Sequence, residues 1–192
     1  LRCYQDLQGK QHKGGDNILE RAEFTPTEEA MAAMSSHSLY KTVEAFMRSR
    51  MSEFGNTIAV SLSGGVDSMV LAYILKHQGF DVVALHIDYK NRPESTEEAD
   101  FVDDWSVRHG MKFERCVVDQ IRRGVTPREQ YEIESRKIRY GFYKRSADAH
   151  DFPAVLLGHH HGDVQENIIT NLMRGANLLS VNGMSEEGIV EG

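Results

Sequence analysis

The stretch TIAVSLSGGVDSMVLAYIL, residues 57–75, passes from a short apolar, β-branched run through a pair of glycines into an amphipathic helical pattern. A change from strand-like to helix-like periodicity across Gly-Gly reads as strand, tight turn, helix. The strand within it is TIAVSL (57–62), and three further β-rich runs follow at DVVALHI (81–87), KFERCVV (112–118) and AVLLG (154–158). Helical patterns lie between them at roughly 67–78, 95–109 and 127–148, and another begins near 163. Strands alternating with helices predict an α/β fold, a Rossmann-like parallel sheet with helices on both faces. Parallel neighbours need long crossovers, and each apolar face of the sheet needs a helical cover. Ligands in such sheets sit beyond the carboxyl ends of the strands. The polar residues of interest fall there: Ser63 to Ser68 after the first strand, Asp88 after the second, and His159 to Asp163 after the fourth.

Upstream, residues 27–51 are rich in helix formers, and Leu39, Val43, Phe46 and Met47 share one helical face that is expected to pack beside the first strand. Residues 1–26 are polar, carry a Gly-Gly pair and read as an N-terminal extension. The principal domain is then 27–192, expected to continue past the last residue given. With 192 residues, 40% hydrophobic, the chain suits one well-buried core. A net charge of -7 excludes the global basic field of a dedicated nucleic-acid binder, leaving room for a local basic face. The two cysteines, Cys3 and Cys116, form neither a CxxC pair nor a disulfide framework, which suits a reducing compartment, and Cys116 reads as a core residue. No apolar run approaches the roughly 18–20 residues of a membrane span. The expectation is a cytoplasmic protein with no membrane partner, an organelle being the alternative if a targeting segment precedes Leu1.

The loop SGGVDS (63–68) has the makings of an anion site: two glycines that let the backbone turn its N–H groups toward a ligand, two serine hydroxyls, and a helix N-terminus. It lacks the lysine of a Walker A loop and carries Asp67 instead. A carboxylate repels polyphosphate unless a cation stands between them, so Asp67 is read as a ligand of Mg²⁺ on the phosphates. The plainer alternative is that Asp67 caps the helix and the glycines only turn the chain.

SGGVDS after a strand resembles the signature of the PP-loop, or N-type ATP pyrophosphatase, superfamily, which implies an adenine nucleotide alpha hydrolase-like fold, ATP binding and release of pyrophosphate. Three more stretches resemble the tRNA(Ile)-lysidine synthase family. HIDYKNRPESTEEADFV (86–102) resembles HxDHGLRxxSxxEAxxV through His86, Asp88, Arg92, Ser95, Glu98 and Ala99, with Tyr89, Lys90 and Asn91 in place of HGL. YEIESRKIRYGFY (131–143) resembles ExxARxxRY through Glu132, Arg136, Arg139 and Tyr140. GHHHGDVQENIITNLMRG (158–175) resembles the HHxDDQxET segment with its later RG through His159, His160, Asp163, Glu166, Arg174 and Gly175, while Gly162 replaces the first aspartate of the DD pair.

The resemblance implies an ATP-dependent tRNA-modifying ligase that adenylates a tRNA cytidine and joins free lysine to it, with tRNA(Ile) as partner and ATP and Mg²⁺ as cofactors; a homo-oligomer stays open. Ser63, Gly64, Gly65, Val66, Asp67 and Ser68 would bind nucleotide, with His86, His159 and His160 beside it. Asp67 and Asp163 would hold the metal, Arg136 and Arg139 would reach developing negative charge from one helix face, and Asp88 or Asp163 would receive the lysine ammonium or act as base. A tRNA 2-thiolation enzyme of the same superfamily ranks lower for want of paired cysteines, and a non-catalytic nucleotide-binding or tRNA-binding module is the third reading. The three consecutive histidines do not suit a tetrahedral metal site, and Trp105 reads as packing.

Overall fold

In a computed structural model, residues 25–159 are described. Ten elements follow in order: α1 (Glu28–Ser36), α2 (Ser38–Ser49), α3 (Met51–Phe54), β1 (Thr57–Ser61), α4 (Val66–His77), β2 (Asp81–Asp88), α5 (Ser95–Arg108), β3 (Lys112–Val117), α6 (Arg128–His150) and β4 (Val155–Leu157). The strands form one parallel sheet in the order β3-β2-β1-β4. The helix expected near 163, with His160, Asp163 and Glu166, lies outside the described residues, as does nearly all of the expected N-terminal extension.

Alternation along the strands builds two cores. Ile58 and Val60 of β1 and Val82 and Ala84 of β2 face one side, where Met47, Ala72, Leu75 and Val102 from α2, α4 and α5 cover them. Ala59, Val83, Leu85 and Cys116 face the other, covered by Phe142 and Tyr143 of α6. Both faces are therefore dry, which is why β1 and β2 read as continuous apolar runs rather than alternating ones. Cys116 and Trp105 are packing residues, as expected.

The helical region upstream of β1 is broken where one helix was expected. His37 is extended (φ -68°, ψ 142°), ending α1 and opening α2 with its Nδ1 accepting the Leu39 N–H at 3.2 Å. The hydroxyls of Ser35 and Ser36 bond back to the carbonyls of Ala32 and Ala33, the local competition that makes serine a poor helix-interior residue. Of the expected apolar face, Met47 is buried and Val43 packs on the core, whereas Leu39 and Phe46 are partly exposed.

A loop between two clefts at the carboxyl end of the sheet

β1 lies at the point where the chain order reverses: β2 and β3 extend the sheet on one side, β4 on the other. The loop Leu62–Gly65 leaves β1 there, at the place where open α/β sheets receive ligands. Its first step continues the ladder, the Leu62 N–H donating to the Leu85 carbonyl at 2.8 Å. Then a small ring of hydrogen bonds fixes it. The Ser63 N–H donates to Ser68 Oγ at 3.2 Å, the Ser68 hydroxyl donates to the Gly65 carbonyl at 2.9 Å, and the Gly65 N–H donates to Ser63 Oγ at 3.2 Å. With the Ser68 proton engaged at Gly65, the Ser63 hydroxyl is the donor across the 3.1 Å between the two oxygens. Ser68 is buried and braces the loop; Ser63 is exposed and faces outward.

Gly64 is needed for its backbone, at φ +85°, and for space, since a Cβ would stand 3.1 Å from Val102 Cγ2 of α5. Gly65 is the N-cap of α4 and has no side chain to occupy the first-turn N–H groups. Those groups have no carbonyl one turn earlier, and they sit at the positive end of the helix dipole. Such a turn can receive an anion on its backbone N–H groups. Asp67 lies exposed in the first turn rather than at the cap. Val66 beside it is 76% exposed.

Gly158, just past β4, presses on the same spot from the opposite side. A Cβ there would meet Ser68 Cα and N at 2.7 Å and Asp67 C at 3.1 Å, so only glycine lets the chain after β4 lie against the first turn of α4.

The loop separates two clefts. One, of about 210 Å³, opens at the switch point between β1 and β4 and is lined by Ser61, Leu62, Ser63, Ser68, Ile87, Tyr89, Arg139, Tyr143, Leu157, Gly158 and His159. In its wall the Tyr143 hydroxyl donates to Ser61 Oγ at 2.6 Å, and Arg139 Nη2 donates to the Tyr89 hydroxyl at 3.4 Å. Burial pushes the Tyr143 phenol up, against the opposing pull of Ser61 and Arg139. Burial also works against the Arg139 charge, but the Tyr89 hydrogen bond and neighbouring phenols outweigh it and hold that guanidinium above its usual value. The second cleft, of about 460 Å³, lies between the loop and α5, against Ser63, Gly64, Gly65, Arg92, Glu97, Glu98, Phe101 and Val102. Arg92 is held over it by both oxygens of Glu98, at 2.9 and 2.7 Å.

Several expected site residues stand elsewhere. His86 is buried, its Nδ1 2.8 Å from the Leu62 carbonyl and its ring stacked on Phe113; it supports the loop from below and lines neither cleft. Arg136 is exposed and lies over the Tyr140 ring at 5.3 Å, so the expected shared face with Arg139 is not realised at the cleft. The residue that joins Arg139 there is Tyr143, one helical turn later.

Asp88 also differs from expectation. Its side chain is wholly enclosed, with Arg115 Nη2 at 2.7 Å, Lys90 Nζ at 2.9 Å and the Lys90 N–H donating to Oδ1 at 3.0 Å. Burial alone would raise its pKa, but the bonds from Arg115 and Lys90 outweigh that and hold the carboxyl below the usual carboxylate range. A carboxylate so placed is a poor proton acceptor and an effective clamp. Arg115 passes the link on to Asp100 of α5 through Nη1 at 2.7 Å. The clamp fixes the start of the β2–α5 loop, where Lys90 takes a left-handed φ of 49°. Arg115 was the residue least visible in the sequence; the signal was an arginine in the middle of a β-rich run, beside Cys116. Gly158 and Tyr143 stood inside quoted motifs, without a role.

Among the described residues, no group of three His, Cys, Asp or Glu stands together that could hold a metal ion by itself. Asp67, exposed beside the anion receptor, fits the way Mg²⁺ is commonly held, by one or two carboxylates with substrate phosphates supplying the other ligands. The second expected ligand, Asp163, lies outside the described residues.

A parallel sheet with an SGGVDS loop at its switch point defines an ATP-pyrophosphatase type of domain, and a PP-loop domain model matches residues 34–192. The chain belongs to that family. It is 34% identical over 136 residues to a tRNA(Ile)-lysidine synthase of Orientia tsutsugamushi, covering 69% of this chain and 29% of that protein. A tRNA(Ile)-lysidine synthase of Chlamydia pneumoniae is 33% identical over 132 residues, covering 69% and 40%. The chain thus matches well under half the length of these relatives. The fold is also that of the U34-tRNA thiolase NcsA from Methanococcus maripaludis, with a TM-score of 0.57 at 17% identity over 79% of this chain and 53% of that one. No helix among the described residues is long and apolar enough to cross a membrane.

Proposed function

We propose that the protein is an ATP-dependent tRNA-modifying ligase that adenylates a tRNA cytidine, tRNA(Ile) being the first candidate, and joins free lysine to it. The observation that carries the ATP-using part of this reading is the loop itself, an anion-binding turn without lysine, braced by Ser63, Ser68 and Gly65 and flanked by a cleft on each side, while the tRNA and lysine follow from the relatives that the chain resembles. ATP phosphates would lie on the first-turn N–H groups of α4, on the loop that Ser63 and Ser68 brace, with the nucleoside in the switch-point cleft against Leu62, Ile87 and Leu157. Mg²⁺ held partly by Asp67 would neutralise charge on the phosphates.

In the first step the cytidine C2 oxygen attacks the α-phosphorus, the bond to the β-phosphate oxygen breaks, and pyrophosphate leaves with the electron pair. In the second, the lysine amine forms a C–N bond at C2, AMP leaves with the C–O electrons, and the amine gives up a proton. Negative charge gathers at the α-phosphate in both, and Arg139, which lines the switch-point cleft, would meet it. Asp88 acts as a positioning residue, which leaves Asp163 as the candidate to receive the lysine amine.

Incubation with ATP, labelled lysine and tRNA transcripts tests the proposal. Label is expected in tRNA(Ile), and Asp67→Ala is expected to abolish transfer. ATP binding with no label in any tRNA would overturn the lysine assignment, and sulfur incorporation would select the thiolation branch.

A further inference from the structure

The chain is acidic overall, yet residues 122–128, RRGVTPR, hold three arginines and no acidic residue. They form the end of the β3–α6 connection, at the same end of the sheet as the two clefts. The segment is ordered by its own hydrogen bonds: Val125 and Thr126 N–H groups donate to the Arg122 carbonyl at 3.2 and 2.9 Å, and the Arg122 N–H donates to Thr126 Oγ1 at 3.1 Å. Gly124, at φ +86°, makes the turn, and Ile121 anchors its base in the core.

Asn91 ties this turn to the site. Its Oδ1 accepts the Arg123 N–H at 3.2 Å, and its Nδ2 donates to the Tyr131 hydroxyl at 2.8 Å. Tyr131 in turn packs against Tyr89, whose hydroxyl takes the Arg139 hydrogen bond in the switch-point cleft. Asn91 is also the residue between the clamped Lys90 and the cleft residue Arg92. Arg122 and Arg123 are exposed, and neither makes a side-chain ion pair among the described residues; Arg128 pairs with Glu132 at 3.0 Å.

We propose that the Arg122–Arg123 turn is a docking surface for the phosphate backbone of RNA, held in register with the clefts by Asn91. The proposal rests on the tRNA reading and adds to it the surface that receives the strand. Two guanidiniums without an ion-pair partner among the described residues, on a turn whose backbone is ordered by its own hydrogen bonds, match phosphate oxygens in charge and in bidentate geometry. On a protein of net charge -7, affinity for a polyanion must come from such a local patch.

The test is tRNA binding by fluorescence anisotropy across 50–200 mM salt, for the wild type, Arg122→Ala/Arg123→Ala, Arg122→Lys/Arg123→Lys and Asn91→Ala. Lys41→Ala/Arg48→Ala on α2 serves as a charge control, and ATP affinity is measured for each. Each lost phosphate contact removes about 0.7–0.9 from the slope of log K against log salt, so the double alanine variant is expected to flatten it by about 1.4–1.8 and to weaken binding about tenfold or more at low salt. The lysine pair should keep the slope, and the α2 control should match the wild type. Asn91→Ala, with both charges intact, should bind tRNA several-fold more weakly, and ATP affinity should not move in the two arginine-turn variants. A wild-type slope in the double alanine variant overturns the docking surface alone. Unaltered binding by Asn91→Ala overturns the registering role. A wild type that binds no tRNA at any salt overturns the tRNA reading together with the surface.

Discussion

Replacing Gly158 by alanine adds one methyl group at a place with no room for it. The new Cβ would stand 2.7 Å from both Ser68 Cα and Ser68 N, and 3.1 Å from Asp67 C. Carbon atoms in contact prefer roughly 3.5–4.0 Å, so about 0.8 Å or more must be found. The obstructing atoms belong to the backbone of α4's first turn, which cannot rotate aside as a side chain would. Strand β4 is held on the other side by its pairing with β1, Val155 opposite Ala59 and Leu157 opposite Ser61. Either the strand end or the anion-binding turn must yield, at a cost of about 1–3 kcal/mol, the usual range for over-packing. The turn is the weaker party, since its ring of bonds runs through two serine hydroxyls. Gly158→Ala is therefore expected to weaken ATP binding, measured by calorimetry, by at least about tenfold, or about 1.4 kcal/mol. Urea unfolding followed by circular dichroism should show a stability loss within that range. Wild-type ATP affinity together with wild-type stability would refute the close approach of the two segments.

Two further substitutions probe the support of the site. Lys90 stands where the family pattern has glycine and takes a left-handed φ of 49° while its Nζ pairs with Asp88; Lys90→Ala loses the pair and keeps the strain, whereas Lys90→Gly relieves it, so in urea titrations the glycine variant should be the more stable of the two by about 1 kcal/mol. Asp88→Asn leaves Arg115 without its buried partner and should cost roughly 2–4 kcal/mol near neutral pH, less than a fully buried pair because Arg115 and Lys90 reach solvent. Because the folded-state pKa of Asp88 is depressed, its contribution is complete above the unfolded value of about 3.9 and is lost as pH falls through the folded one. Melting temperatures of wild type and Asp88→Asn should accordingly converge only below about pH 4.

The alternation of strands and helices was legible because both sheet faces are buried, which turns β1 and β2 into uninterrupted apolar runs. The anion loop was legible for a local reason: glycine, serine and a helix start act over six consecutive residues. Contacts between distant segments were not. Gly158 against Ser68 and Asp88 against Arg115 depend on which strands are neighbours, and in the latter case on the register that sets His86 opposite Arg115 and Asp88 opposite Val117. Helical spacing placed Arg136 and Arg139 on one stripe but could not say which edge of that stripe meets the sheet; Arg139 turns to Tyr89 and the cleft, and Arg136 to Tyr140 and solvent. The break at His37 was hidden because histidine is an uncommon cap, and its role rests on a single bond to the Leu39 N–H.

The SGGVDS loop, lacking a Walker lysine, is proposed to serve departure of pyrophosphate from ATP. The product of ATP labelled at the α-phosphate, incubated with the protein, lysine and tRNA and resolved by chromatography, tests this. Labelled AMP with an equal amount of pyrophosphate is expected, dependent on tRNA and lysine and lost in Ser63→Ala/Asp67→Ala. Labelled ADP with inorganic phosphate would contradict it.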